Sequence, residues 1–296
     1  MRRSISSSGS GSSGSLAPIR PRLITKCIFC GSPNLTWEHV FSKWTHRYLP
    51  PRKRGNASSS VGLLYVDRPE ETTAIKLRDW QVKCVCGGPR TSCNNGWMKD
   101  IEDRARPIMT DLLVGNDRRL FPKDHEVIAT WAILKVMVAE FDVKANVTVH
   151  HTQRQYIMRH QHAPTHGWSV WIGHYERKDW IAEWVSRPML LVTEAVADRR
   201  SSYDATYFNS NATTQVIGKL FIHVIHSPMA SLVKRWRFSF PHKGALFRIW
   251  PPIESSIPWP LDALDDRAAD NIADALFRFM SRAQADWFAS MQKPSA

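Results

Sequence analysis

All five cysteines of this 296-residue chain lie between positions 27 and 93, and that confinement constrains the fold more than any other feature. Cys27 and Cys30 stand in "CIFCG"; Cys84, Cys86 and Cys93 stand in "VKCVCGGPRTSCNNGWM". A Cys-x-x-Cys-Gly stretch forms a knuckle in which two thiolates grip one ion while the glycine, here Gly31, permits the tight backbone. A structural zinc takes four nitrogen or sulfur ligands, usually from two knuckles far apart in sequence. Cys27 and Cys30 supply the first knuckle and Cys93 begins the second. The commonest spacing would put the fourth cysteine at position 90, which is Arg90. The glycines and proline of "GGPRTS" can instead loop the chain back from Cys86. Cys84 and Cys86, two apart on a strand, point to the same face, so either can reach the metal. Cys86 is preferred because it adjoins the turn. A module this small buries too little apolar surface to be stable alone, and a zinc clip supplies the missing folding free energy.

The charge balance narrows the partners. Forty Lys and Arg against 27 Asp and Glu give a formal charge of +13, which favours polyanions, with DNA (or RNA) first. No apolar run is long enough to cross a bilayer, and "MRRSISSSGSGSSGS" lacks the apolar stretch of a secretory signal, so no membrane partner and a cytoplasmic location are expected. In that setting an odd number of cysteines suits a metal better than a disulfide framework.

Composition and patterning predict an α+β chain in three parts. Residues 1–22 read as a disordered Ser/Gly-rich basic leader, residues 23–120 as the metal-stapled module, and residues 121–296 as a mixed α+β accessory domain. Strands are predicted at "VGLLYV", "TAIKLRDWQVKCV", "WSVWIGHY", "MLLVTEA", "QVIGKLFIHVIH" and "ALFRIW". A helix is predicted from Cys93, with Trp97, Ile101, Ala105, Ile108 and Leu112 at helical spacing, kinked or divided at Pro107. "DHEVIATWAILKVMVAEF", apolar round most of its circumference, reads as a buried helix with Asp124 as its cap. A terminal amphipathic helix places Ile272, Leu276, Phe279, Ala283 and Trp287 on one face. The histidines of "HHTQRQYIMRHQHAPTH" show no ligand spacing and no acidic companion, so a second metal site is not expected there. Arg52, Lys53 and Arg54, in a Pro/Gly/Ser-rich loop, are candidate contacts for backbone phosphates.

The chemistry-bearing residues fall in one order: Cys27-x-x-Cys30, Glu38-His39, Cys86 (or Cys84), Cys93-Asn94. "CIFCG", "WEHVFSKW" and "SCNNGWM" resemble the HNH nuclease family of the ββα-metal group, over about residues 25 to 105. The resemblance implies a β-hairpin followed by a helix, clamped by a four-cysteine zinc on Cys27, Cys30, Cys86 and Cys93. It implies His39 as general base, and Glu38 and Asn94 (Asn95 as the alternative) as ligands of one divalent cation, Mg²⁺ or Mn²⁺. The activity implied is phosphodiester hydrolysis in DNA, of the kind found in mobile elements and phage defence. A homodimer would be one route to double-strand cutting. The chain departs from the family's usual pattern in having Glu rather than Asp before the His, and in lacking a proline after it.

Independent chemistry agrees with those roles. A near-neutral histidine can take a proton from water, and a hard oxygen-liganded cation can clamp a phosphate through few protein ligands. Neighbouring residues on a strand point to opposite faces, so Glu38 and His39 can serve one site only if the strand twists or bulges there. A catalytically inactive, zinc-stabilised nucleic-acid-binding protein is the alternative reading.

Overall fold

Alternating apolar residues in the second half of the chain assemble one large sheet, and the computed structural model describes how the cysteine-bearing third packs on it. Residues 24–48, 55–59, 71–75, 79–142, 147–176, 184–189, 209–236, 244–252 and 254–291 are described. The expected leader, "VGLLYV", most of "MLLVTEA", Ala283 and Trp287 as side chains, and Arg52, Lys53 and Arg54 lie outside the described residues.

The elements run β1 (Leu35–His39), a short 3-10 turn at Lys43–Tyr48, β2 (Gly55–Ser59), β3 (Glu71–Ile75) and β4 (Gln81–Cys86), then α1 (Lys99–Val114), β5 (Arg118–Leu120) and α2 (Pro122–Ala139). After α3 (His151–His160) come β6 (Trp168–Tyr175), β7 (Trp184–Met189), β8 (Ser210–Ile217) and β9 (Leu220–His226). The short helix α4 (Ala230–Arg235), β10 (Leu246–Trp250), β11 (Ile257–Trp259), β12 (Ala263–Leu264) and α5 (Asp266–Met291) complete the order. The fold is mixed α+β, as the patterning predicts.

The large sheet has the order β10-β6-β9-β8-β7-β2-β3, with β12 added alongside β6. Its strands send alternate residues to opposite faces. Ile222 and Val224 of β9 join the core that holds α2, while Phe221 packs with Ala268, Ala269, Ile272 and Ala273 of α5. Ile272 and Leu276 are buried as the helical spacing predicts, but Phe279 is 51% exposed, its ring set against Trp236. "QVIGKLFIHVIH" is two strands rather than one. Gly218, at φ +56°, turns the chain so that Ile217 pairs with Leu220. "TAIKLRDWQVKCV" likewise divides: β3 belongs to the large sheet and β4 to the small antiparallel pair with β1.

Helix α1 runs through Pro107 without interruption. The proline costs about 3 kcal/mol in a helix interior, whereas burying a large apolar side chain returns about 1.5–3 kcal/mol. Ile108, Met109, Leu112 and Leu113 are all buried beyond it, so packing wins. Helix α2 starts at Pro122, and the Asp124 carboxylate accepts from the Phe121 amide at 2.9 Å. From Ile128 to Ala139 every residue is buried, so α2 passes through the middle of the core. That core continues from Cys27 to Leu261, across residue 120. Among the described residues no helix is long and apolar enough to cross a membrane.

Candidate metal centre and adjoining cavity

The first knuckle closes by the Gly31 amide donating to the Cys27 carbonyl at 2.9 Å, with Gly31 at φ +79° as the tight turn requires. It docks on β4 through the Ile28 amide, which donates to the Cys84 carbonyl at 3.0 Å. The second knuckle begins as β4 ends. After Gly87 and Gly88 the chain returns, and the Cys93 amide donates to Cys86 Sγ at 3.2 Å. A wide turn at Asn94–Met98 then leads into α1. Gly96 makes that turn possible: a Cβ there would lie 2.3 Å from the Arg90 carbonyl oxygen.

The four sulfurs of Cys27, Cys30, Cys86 and Cys93 all lie within 4.8 Å of one another, a cluster that can hold a metal ion. Cys27 Sγ is 3.7 Å from Cys93 Sγ, and Cys30 Sγ is 3.5 Å from Cys86 Sγ. A tetrahedral zinc with bonds of about 2.3 Å sets its sulfurs about 3.8 Å apart, so the cluster fits zinc with small adjustment. Donation from the Cys93 thiol holds Cys27 down at about 4, making it the thiolate a metal takes. Cys84 is fully buried outside the cluster, and burial pushes its thiol up, so it behaves as a core residue.

Beside this centre lies an open cavity of about 380 Å³ lined by Glu38, His39, Asn94 and Asn95, with Ser42, Glu102 and others. Strand β1 carries the first pair. Its register against β4 shifts between Thr36 and Trp37, a bulge just upstream of Glu38 and His39. Beyond the bulge Trp37 pairs with Lys83, Glu38 with Val82 and His39 with Gln81. Glu38, on the inner face, is 8% exposed, and His39 is half-buried.

Burial raises the Glu38 carboxyl above the ordinary range, against the opposing pull of Lys135. Burial, aided by neighbouring His46, Lys43 and Lys135, lowers His39 to about 4, so its imidazole is neutral at neutral pH. The Gln81 carboxamide approaches His39 Nε2 at 2.8 Å, and which way that amide faces selects the ring nitrogen that keeps the proton. His46 donates through Nε2 to the Phe41 carbonyl at 3.0 Å and lies edge-on to the His39 ring. Asn94 donates to the Trp37 carbonyl at 3.5 Å and also bonds Glu38, tying the two halves of the cavity together. Asn95 spends its amide on the Gly88 carbonyl, within the second knuckle.

Four participants were invisible to motif reading. Lys135 Nζ, fully buried on α2, lies 2.6 Å from Glu38 Oε1 and 2.6 Å from Glu102 Oε1, and donates to the His39 carbonyl at 3.0 Å. Burial alone would lower its pKa, but the two carboxylates raise it above the usual lysine value. Ser42 donates to Glu102 at 2.6 Å and accepts from Trp131 Nε1 at 3.2 Å. Gln81 completes the set. One signal was in the sequence: Lys135 is the sole charged residue between Glu126 and Glu140, in a helix otherwise apolar there. Such a lysine must find buried anions.

No family model, no curated protein and no solved structure matches this chain.

Proposed function

We propose that this protein is a metal-dependent endonuclease of HNH type that hydrolyses phosphodiester bonds in DNA, stapled by a structural zinc on Cys27, Cys30, Cys86 and Cys93. One observation carries the reading. Glu38, His39 and Asn94, contributed by distant stretches of sequence, line one open cavity directly beside four convergent sulfurs.

His39 is the general base. The role requires the Gln81 carboxamide to turn its oxygen to Nε2–H, so that the neutral ring keeps Nδ1 to accept a proton from the attacking water. Glu38 and Asn94 offer the hard oxygens that Mg²⁺ or Mn²⁺ prefers. The two carboxylates and Lys135 sum to a single negative charge on the inner wall of the cavity, facing Lys43 at its rim. When bound, that ion supplies charge stabilisation for the scissile phosphate and the leaving oxygen. Lys43, exposed at the rim, meets a neighbouring phosphate.

A second reading has its own support: the Lys135 ion pair already neutralises Glu38, which suits a zinc-stabilised nucleic-acid-binding protein without cleavage. Supercoiled plasmid incubated with wild type and His39→Ala, in Mg²⁺, Mn²⁺ or EDTA, separates the two. The nuclease gives ion-dependent nicking that disappears in the variant while its zinc is retained. DNA binding by both proteins with no cleavage under any ion favours the second.

A further inference from the structure

Trp37 stands apart from the other tryptophans. It is 56% exposed, whereas every other tryptophan whose burial is described is buried or half-buried. Leaving an indole in water gains the fold nothing, because its apolar area stabilises only when removed from solvent. Its place on the hairpin is specific. Past the bulge, Trp37 and His39 share one face of β1, opposite Lys83 and Gln81 of β4, while Glu38 and Val82 face inward. The outer face thus presents an exposed aromatic ring, a lysine across from it, and the candidate base two residues along. Lys83 and Lys43 are both exposed, and neither forms an ion pair among the described residues.

We propose that this face is a base-stacking subsite, on which Trp37 receives the nucleobase next to the scissile phosphate while Lys83 and Lys43 meet the flanking phosphates. The preferred substrate is therefore single-stranded or locally unpaired DNA. The inference rests on the phosphodiesterase reading of the adjoining cavity. Two strand residues span about 6.6 Å, close to one nucleotide step of an extended strand, so a base on Trp37 sets the next phosphate at His39. Stacked duplex DNA rises only about 3.4 Å per step, and both faces of each base are already covered. To use Trp37, a duplex would first have to unstack, at a few kcal/mol per step, whereas an unpaired base offers a face at no such cost.

The test uses full-length protein and one labelled oligonucleotide, presented as a single strand and as a blunt duplex. Binding is measured by anisotropy in buffer without added divalent cation or chelator for wild type, Trp37→Ala and Trp37→Phe, with thermal melts to establish that each variant is folded. Stacking predicts that Trp37→Ala weakens single-strand binding about 5- to 150-fold. Trp37→Phe stays within about threefold of wild type, and duplex affinity changes less than twofold in both. An unchanged single-strand affinity, or equal loss on both forms, overturns the subsite. Cleavage of the same two substrates in Mn²⁺, with His39→Ala as control, separates this result from the enzyme reading. Selective loss of single-strand binding without cleavage by wild type keeps the subsite and removes the hydrolase. Cleavage of both forms equally well by wild type and Trp37→Ala does the reverse.

Discussion

Replacing Lys135 by methionine tests whether the charge network between α2 and β1 holds the cavity together. At 2.6 Å and an effective dielectric of about 20, each ion pair to Glu38 and Glu102 is worth about 6 kcal/mol of Coulomb energy. Burying an ammonium costs several kcal/mol, so the two pairs together exceed the penalty and the lysine stays charged. Methionine fills the same space but leaves two carboxylates facing each other without a cation. Removing one partner of a buried pair typically costs about 3–5 kcal/mol. With a urea slope of about 3 kcal/mol per molar, the unfolding midpoint should fall by about 1 to 1.7 M.

The pH dependence of that deficit gives the mechanism. In Lys135→Met the Glu38 carboxyl loses its opposing charge, so its folded pKa rises further above the unfolded value of about 4.3. A raised folded pKa contributes stability below the unfolded pKa, which is lost as pH rises through the folded one. The deficit should therefore be largest near pH 8 and shrink towards pH 5, and Lys135→Met/Glu38→Gln should recover part of it at pH 8. Urea titrations of the three proteins at both pH values decide the matter. A loss under about 1 kcal/mol at pH 8, or a deficit that does not change with pH, refutes the reasoning.

Three further outcomes are expected. Metal analysis should find one zinc in Cys84→Ala but none in Cys86→Ala or Cys93→Ala, because only the latter two belong to the sulfur cluster. Gly96→Ala forces a Cβ to within 2.3 Å of the Arg90 carbonyl oxygen, so the second knuckle must shift; a stability loss of about 2 kcal/mol or more should accompany weakened zinc retention, read by melting with and without chelator. With the His39 pKa lowered to about 4 by burial and neighbouring cations, cleavage should persist well below pH 6.5. Lys43→Gln, removing one of those cations, should move the acid limb of kcat/KM to higher pH, and a wild-type limb at 6.5 or above would contradict the assignment.

How much of this was legible in the sequence depended on the range of the interaction. Both knuckles were, because soft ligands at fixed spacing beside glycines leave the backbone few alternatives, and Cys86 rather than Cys84 follows once a turn must begin there. The adjacency of Asn94 to Cys93 likewise carried it to the cavity. The Gly218 turn was missed because its flanking strands read as one continuous apolar run, and Asp79–Trp80 was missed as a break because alternation persists on both sides of it. Lys135 was missed for a different reason. Its partner Glu38 lies 97 residues away, and nothing local says which anion a buried lysine will meet.

The placement of Lys135 has a parallel that explains why the core does not stop where the cysteine pattern stops. On α3, Arg154 Nε donates to the Ile28 carbonyl of the first knuckle at 3.1 Å, while its guanidinium lies 3.7 Å from buried Glu140 and over the Phe141 ring. One cation from beyond residue 120 thus braces the metal knuckle, and another braces the carboxylate of the cavity. A small hairpin-and-helix unit buries too little to fix charged side chains at the tolerance the proposed hydrolysis would need, even with a metal clip. Supplying both cations from helices rooted in a large core makes the second half of the chain part of the site's scaffold. Sequence reasoning divided the chain where the chemistry-bearing residues end; the electrostatics that position those residues begin on the other side.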